Sequence, residues 1–136
     1  YIENHCGGII NIHTSKSISL SADLFYPTGW SCQTKLVVPR DHIIWLTFTK
    51  FDVGRPSIVY CTDVLRIYDG QDTKASELSP TKGLCGRTLP SSITSSGNKL
   101  TIRFRSHVVT TSTGFTMLVT AQRSVIFYSG ENSLNV

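Results

Sequence analysis

Four cysteines, one well-placed aspartate and a short column of basic residues are the groups in this chain with chemistry to offer. Cys6, Cys32, Cys61 and Cys85 stand far apart and include no CxxC pair. Structural zinc takes its ligands in closely spaced pairs, so this spacing points to two disulfides and an oxidising, extracellular compartment. Three pairings are open. Joining neighbours in order would close two loops of similar size, each contributing roughly 3–4 kcal/mol in the chain-entropy model. Asp63, just after Cys61, is the acid placed where an extracellular domain would use one. Lys99, Arg103 and Arg105 fall at even spacing within one alternating segment and so share a strand face. The planar guanidinium fork suits sulfate and carboxylate, which makes this face an expected receptor for sulfated glycan or an acidic protein surface, joined by Arg66 or Arg123 if the fold brings them near. The plainer role of such charges is solubility and edge protection.

Other chemistry is poorly supported. Four histidines, His5, His13, His42 and His107, accompany many serines, yet the chain has no Gly-x-Ser-x-Gly, no His-Glu-x-x-His and no phosphate-binding glycine loop. No enzymatic activity is expected. Thirteen Lys and Arg against nine Asp and Glu give a charge of +4 without a basic run, which is a weak basis for nucleic-acid binding. No apolar run approaches the roughly 20 residues that cross a bilayer, and no basic-then-apolar leader opens the chain. No Asn-x-Ser/Thr sequon occurs.

These groups must be positioned by strands. A 136-residue chain with 40% apolar and 16% charged residues is one globular domain's worth of polypeptide. Segments 42–51, HIIWLTFTKF, and 99–105, KLTIRFR, alternate apolar and polar residues as half-buried strands do. Weaker strand signals cover 9–12, 17–21, 35–38 and 64–69, and Gly114 opens a last strand through Val119 with Phe115 and Met117 inward. Asp69-Gly70 reads as a turn in which glycine supplies a positive φ. Phe25, Tyr26 and Trp30, in a stretch broken by Pro27 and Gly29, read as a loop capping one end of the core, with binding as its second reading. No segment holds a helical period. The expected fold is all-β, an antiparallel two-sheet β-sandwich.

In order and spacing the chain resembles a CUB domain, the β-sandwich module of complement and tolloid proteases, neuropilins, cubilin and spermadhesins. The resemblance runs from Cys6-Gly7-Gly8 through Phe25-Tyr26-Pro27, Phe51-Asp52, Cys61 with Asp63, the segment from Leu65 to Asp69-Gly70, Cys85-Gly86, the run from Ser95 to Leu100, Phe104-Arg105-Ser106 and Gly114-Phe115. It implies a CUB-like jelly roll over residues 1–120 with disulfides paired in order. Residues 121–136 are then a tail, an added edge strand or a linker. Thr34 stands where the family usually has Trp, and Trp30 or Trp45 is expected to fill that volume.

Many CUB domains bind calcium, and the bound ion orients acids that grip a basic residue of a partner. Those acids come from two residues after the Phe-Asp pair, from just after the third cysteine and from the position following Phe-x-Ser. Here these positions hold Gly54, Asp63 and His107, so one acid of three remains. One carboxyl group with Asp52 nearby is a poor cage for a hard cation, and no calcium or other cofactor is expected. Asp63 is then a loop carboxyl group that accepts backbone N–H bonds or pairs with Arg55 or Arg66. The expected function is a non-catalytic extracellular protein-protein interaction module within a larger secreted or cell-surface mosaic protein. A spermadhesin-like protein that binds glycan or sulfated polysaccharide through Lys99, Arg103 and Arg105 is the second reading.

Overall fold

A computed structural model describes residues 1–55, 60–107 and 112–124. Its strands are β1 (Ile9–Asn11), β2 (Ser15–Leu20), β3 (Ser31–Val37), β4 (His42–Asp52), β5 (Val64–Tyr68), β6 (Ile93–Thr94), β7 (Lys99–Arg105) and β8 (Gly114–Arg123), with one short 3-10 turn at Ile2–Asn4. They form two four-stranded sheets in the orders β1-β3-β7-β5 and β2-β8-β4-β6. Every pairing is antiparallel except the three-residue contact of β1 with β3, which is parallel. The all-β sandwich read from the alternation is therefore the fold.

The two apolar stripes face each other. Leu100, Ile102 and Phe104 of β7 and Leu65 and Ile67 of β5 meet Ile44, Leu46 and Phe48 of β4 and Phe115, Met117 and Val119 of β8 in one buried cluster. Alternation breaks once, at a bulge between Phe48 and Lys50. An extra residue there turns Phe51 inward beside Phe48, with ring centroids 5.4 Å apart, so both phenylalanines reach the core from one strand. Trp30 packs against the core and lies 6.0 Å from Phe104, whereas Trp45 is exposed. Disulfides join Cys6 to Cys32 and Cys61 to Cys85, in order.

Two local readings are corrected, and one burial pattern is new. Gly70 does not take a positive φ; its hydrogen is needed because a Cβ there would lie 2.7 Å from Ala75 Cβ. Val64 and Tyr68 face away from the core side of β5 yet are buried, because the segment after β5 folds back over them: Leu84 bridges Leu65, Glu77 bridges Tyr68, and Gly83 sits on Val64. The last strand runs to Arg123, beyond Val119, so the first residues of the segment read as a tail belong to β8. The apolar run at 125–128 lies outside the described residues.

Candidate functional site

Three loops meet at one end of the sandwich, those joining β2 to β3, β4 to β5 and β7 to β8. The Gly29 N–H donates to the His107 carbonyl at 2.8 Å, and Ser106 Oγ donates to the Pro27 carbonyl at 2.6 Å while accepting the Trp30 N–H at 3.1 Å. At the centre lies Asp63, 1% exposed. Its Oδ1 accepts the His107 N–H at 2.7 Å, and its Oδ2 accepts the Tyr26 hydroxyl. Tyr26 Oη in turn accepts the Gly54 N–H at 3.0 Å, and that N–H also reaches Ser112 Oγ at 2.9 Å. The Tyr26 ring packs edge-on against Phe104 at 4.8 Å, tying the network to the core.

The fold thus brings Gly54, Asp63 and His107 together around Tyr26. Calcium takes six to eight oxygens, several of them carboxylate. What gathers here is one carboxyl group whose two oxygens already accept hydrogen bonds, with the backbone N–H groups of Gly54 and His107 presenting hydrogens rather than lone pairs. That donor set does not suit a hard cation, and among the described residues no three His, Cys, Asp or Glu side chains gather as a metal-binding group. Arg66 does not pair with Asp63; it bonds Glu77 at 2.7 Å and the Thr81 carbonyl at 3.0 Å. Beside the network, Leu24 is 73% exposed and Phe25 45% exposed, two large apolar side chains carried by the loop that buries Tyr26.

Asp52, at the end of β4, closes the same region. Its Oδ2 accepts the Thr113 N–H at 2.9 Å and the Thr113 hydroxyl at 3.0 Å, and Arg87 lies 3.5 Å from its Oδ1. Burial works to raise its pKa, but the two Thr113 bonds and the Arg87 charge outweigh burial and hold the carboxyl group below the usual range. A depressed folded-state pKa contributes stability that is fully present above the unfolded value of about 4 and is lost as pH falls through the folded value. Asp52→Asn is therefore expected to be less stable than the parent at pH 7, with the gap in Tm closing towards pH 2. A gap independent of pH would show that ionisation of Asp52 contributes nothing.

The basic column lies on the outer face of the first sheet and runs along β7 from Arg105, next to the loop end, to Lys99 at the opposite end. β7 is an interior strand: Arg103 stands opposite Gln33 of β3 and Arg66 of β5, and Arg105 stands opposite Ser31 and Val64. Lys35 joins the column opposite Thr101. Thr101 itself is buried, since its hydroxyl donates to the Gly70 carbonyl at 2.9 Å beneath the segment after β5. Arg66 is adjacent to the column as expected; Arg123 is not, because it pairs with His42 in the other sheet. Beside Arg105 opens a cleft of ≈ 600 Å³ lined by Tyr60, Val64, Arg66, Pro80, Thr81 and Lys82 among others, with no carboxyl group in its wall.

Sequence reasoning placed Tyr26 as a core cap and missed its hydroxyl as a partner of Asp63. A signal was present: a lone acid directly before a mostly apolar strand must find donors if the fold buries it. Tyr60 and Lys82 were also missed as residues that line one cleft with Arg105, and nothing in their local sequence indicates that placement.

Comparison with known proteins agrees with this architecture. A family model described as CUB domain matches residues 6–118. Human Procollagen C-endopeptidase enhancer 1 is 38% identical over 92 residues, covering 66% of this chain and 19% of the relative. Human Cubilin is 36% identical over 91 residues, covering 66% of this chain and 2% of the relative. The chain thus spans only a small part of the curated relatives it matches. Among solved structures, the MASP-1 CUB2 domain bound to Ca2+ superposes with a TM-score of 0.72 at 21% identity, covering 85% of this chain and 99% of that one, a likeness of fold. The full extracellular region of zebrafish Gpr126/Adgrg6 superposes with a TM-score of 0.70 at 20% identity, covering 88% of this chain and 15% of that one.

Proposed function

The chain belongs to the CUB domain family, and on that premise we propose that it is a non-catalytic protein-interaction module that docks an extracellular partner through the loop end around Tyr26 and Asp63, without calcium. It is an extracellular domain with two disulfides, and no helix among the described residues is long and apolar enough to cross a membrane. The relatives that it resembles support a binding role rather than chemistry: one is, by name, an enhancer of an endopeptidase. A chain that corresponds to 19% of such a relative acts as one module of a larger secreted or cell-surface protein.

The observation that carries this reading is the mounting of Leu24 and Phe25. Both expose apolar surface on a loop whose backbone is tied to the β7–β8 loop and whose next residue, Tyr26, is buried with its hydroxyl bonded into the β4–β5 loop. Apolar anchors on a pre-ordered loop lose little conformational entropy when they dock, which is where affinity in such interfaces comes from. The hydrogen-bonded Asp63 holds the three loops together where related domains use an ion, and this supports calcium-independent docking.

The test is a screen of the chain against an array of secreted and cell-surface ectodomains, with and without a calcium chelator. Saturable binding that survives chelation and drops at least tenfold in Leu24→Asp/Phe25→Asp is the expected result. Binding lost with the chelator, or unchanged in the double variant, would remove the calcium-free loop end as the docking surface. Titrating calcium into the free chain is expected to leave Tm unchanged, since an ion that binds only the native state must raise it.

A further inference from the structure

We infer that the outer face of β7, from the cleft beside Arg105 to Lys99, is a binding site for sulfated polysaccharide, a sheet surface that adjoins the loop end at Arg105 and runs away from it along the strand. Lys99, Arg103 and Arg105 on β7 and Lys35 on β3 share that face. Over six residue steps of strand they make a positive column about 20 Å long. Glu77, which bridges to β5 at Tyr68, is already bonded to Arg66. Arg103 and Arg105 are both exposed, and neither has a carboxyl group of the described residues as ion-pair partner. Their guanidinium groups therefore offer paired N–H donors that no carboxyl group among the described residues uses, a geometry that matches two oxygens of a sulfate.

The architecture favours a polysaccharide over an acidic peptide. An extended peptide gains most by adding to a free strand edge. β7 has none, because both of its edges are paired, with β3 and β5. The outer edge of β5 is in turn capped by the bridges Leu65 to Leu84 and Tyr68 to Glu77. A ligand on this face is held by side chains alone, and a linear polyanion with a charge on each repeat meets the column without needing backbone partners. Gln33, exposed beside Arg103, supplies an amide for sugar hydroxyls, and the ring of Tyr60 in the wall of the cleft offers a flat surface for a sugar ring at the column's end. The opposite sheet gives the contrast: its outer face carries Ser15, Ser17, Thr47, Leu118 and Thr120 around Trp45, with no charge at its centre.

Binding to heparin, to fully desulfated heparin and to poly-glutamate, each measured against salt, tests the inference. Two charge-matched variants are compared: Arg103→Gln/Arg105→Gln on the column, and Lys16→Gln/Lys50→Gln, exposed residues of the second sheet. The parent is expected to bind heparin at about 0.15 M ionic strength. The column variant is expected to bind about tenfold more weakly, with a log-affinity against log-salt slope shallower by roughly 2. The second-sheet variant should stay within about twofold of the parent, and both should keep the parental Tm. Equal weakening of the two variants, no binding at that ionic strength, or binding to desulfated heparin or poly-glutamate as tight as to heparin would each overturn the inference.

Discussion

Asp63→Ala is expected to lower the unfolding free energy by roughly 3 kcal/mol, and Tm by about 10 °C, because it takes one buried acceptor from two donors at once. The Tyr26 hydroxyl and the His107 N–H both end on this carboxyl group, which is 1% exposed. A methyl group in its place removes this acceptor from both donors, and a donor that loses a buried acceptor costs more than the bond itself contributes. Asp63→Asn is expected to lose about half as much, since its amide oxygen still accepts one of the two donors. Tyr26→Phe should also fall between parent and Asp63→Ala, because Gly54 N–H keeps Ser112 Oγ as a partner. Chemical denaturation of the three variants checks the ranking. A change under about 0.5 kcal/mol in Asp63→Ala would mean the loop end is held by other contacts.

Restoring acids at the two lost family positions is expected to destabilise the protein without creating a calcium site. Gly54→Glu/His107→Asp should cost roughly 3 kcal/mol, nearly all of it at Gly54. That residue has φ +52, and a Cβ there would lie 2.7 Å from Thr62 Oγ1, 2.8 Å from Asp63 N and 2.9 Å from Asp63 Cβ. The space an acidic side chain needs is already taken by the backbone leading into Asp63. Differential scanning calorimetry of the double variant with calcium and with chelator gives both readouts. A Tm below the parent and indifferent to calcium is expected; a rise of several degrees on adding calcium would show that only the missing carboxylates had prevented binding.

Much of the fold was legible because it is periodic. The segments at 42–51 and 99–105 alternate so regularly that their inward residues could be named individually, and Ile44, Leu46, Leu100, Ile102 and Phe104 are all in the core. The burial of Val64 and Tyr68 was not legible, because alternation reports which side of a strand a residue faces and not what later covers that side. Their cover comes from residues 77–84, irregular chain whose path is set by the disulfide from Cys61 to Cys85 and by backbone bridges to β5. The bulge at Phe48–Lys50 escaped for a related reason. It is set by cross-strand register with β8, a relation between two segments distant in sequence.

The loop end divides in the same way. From the residues themselves come a lone acid after Cys61, a glycine and a histidine where related domains carry acids, and a Tyr-Pro loop rich in aromatics. These settle which charges are present and which chemistry they can support. Only the tertiary structure decides that Asp63 turns inward to meet Tyr26 and His107, that Leu24 and Phe25 are left outside, and that Lys35 rather than Arg123 extends the basic column. Composition and period are properties of neighbouring residues and can be read along a chain. Hydrogen-bond partners and shared faces join residues as far apart as Tyr26 and Asp63, and they exist only once two sheets have closed on one core.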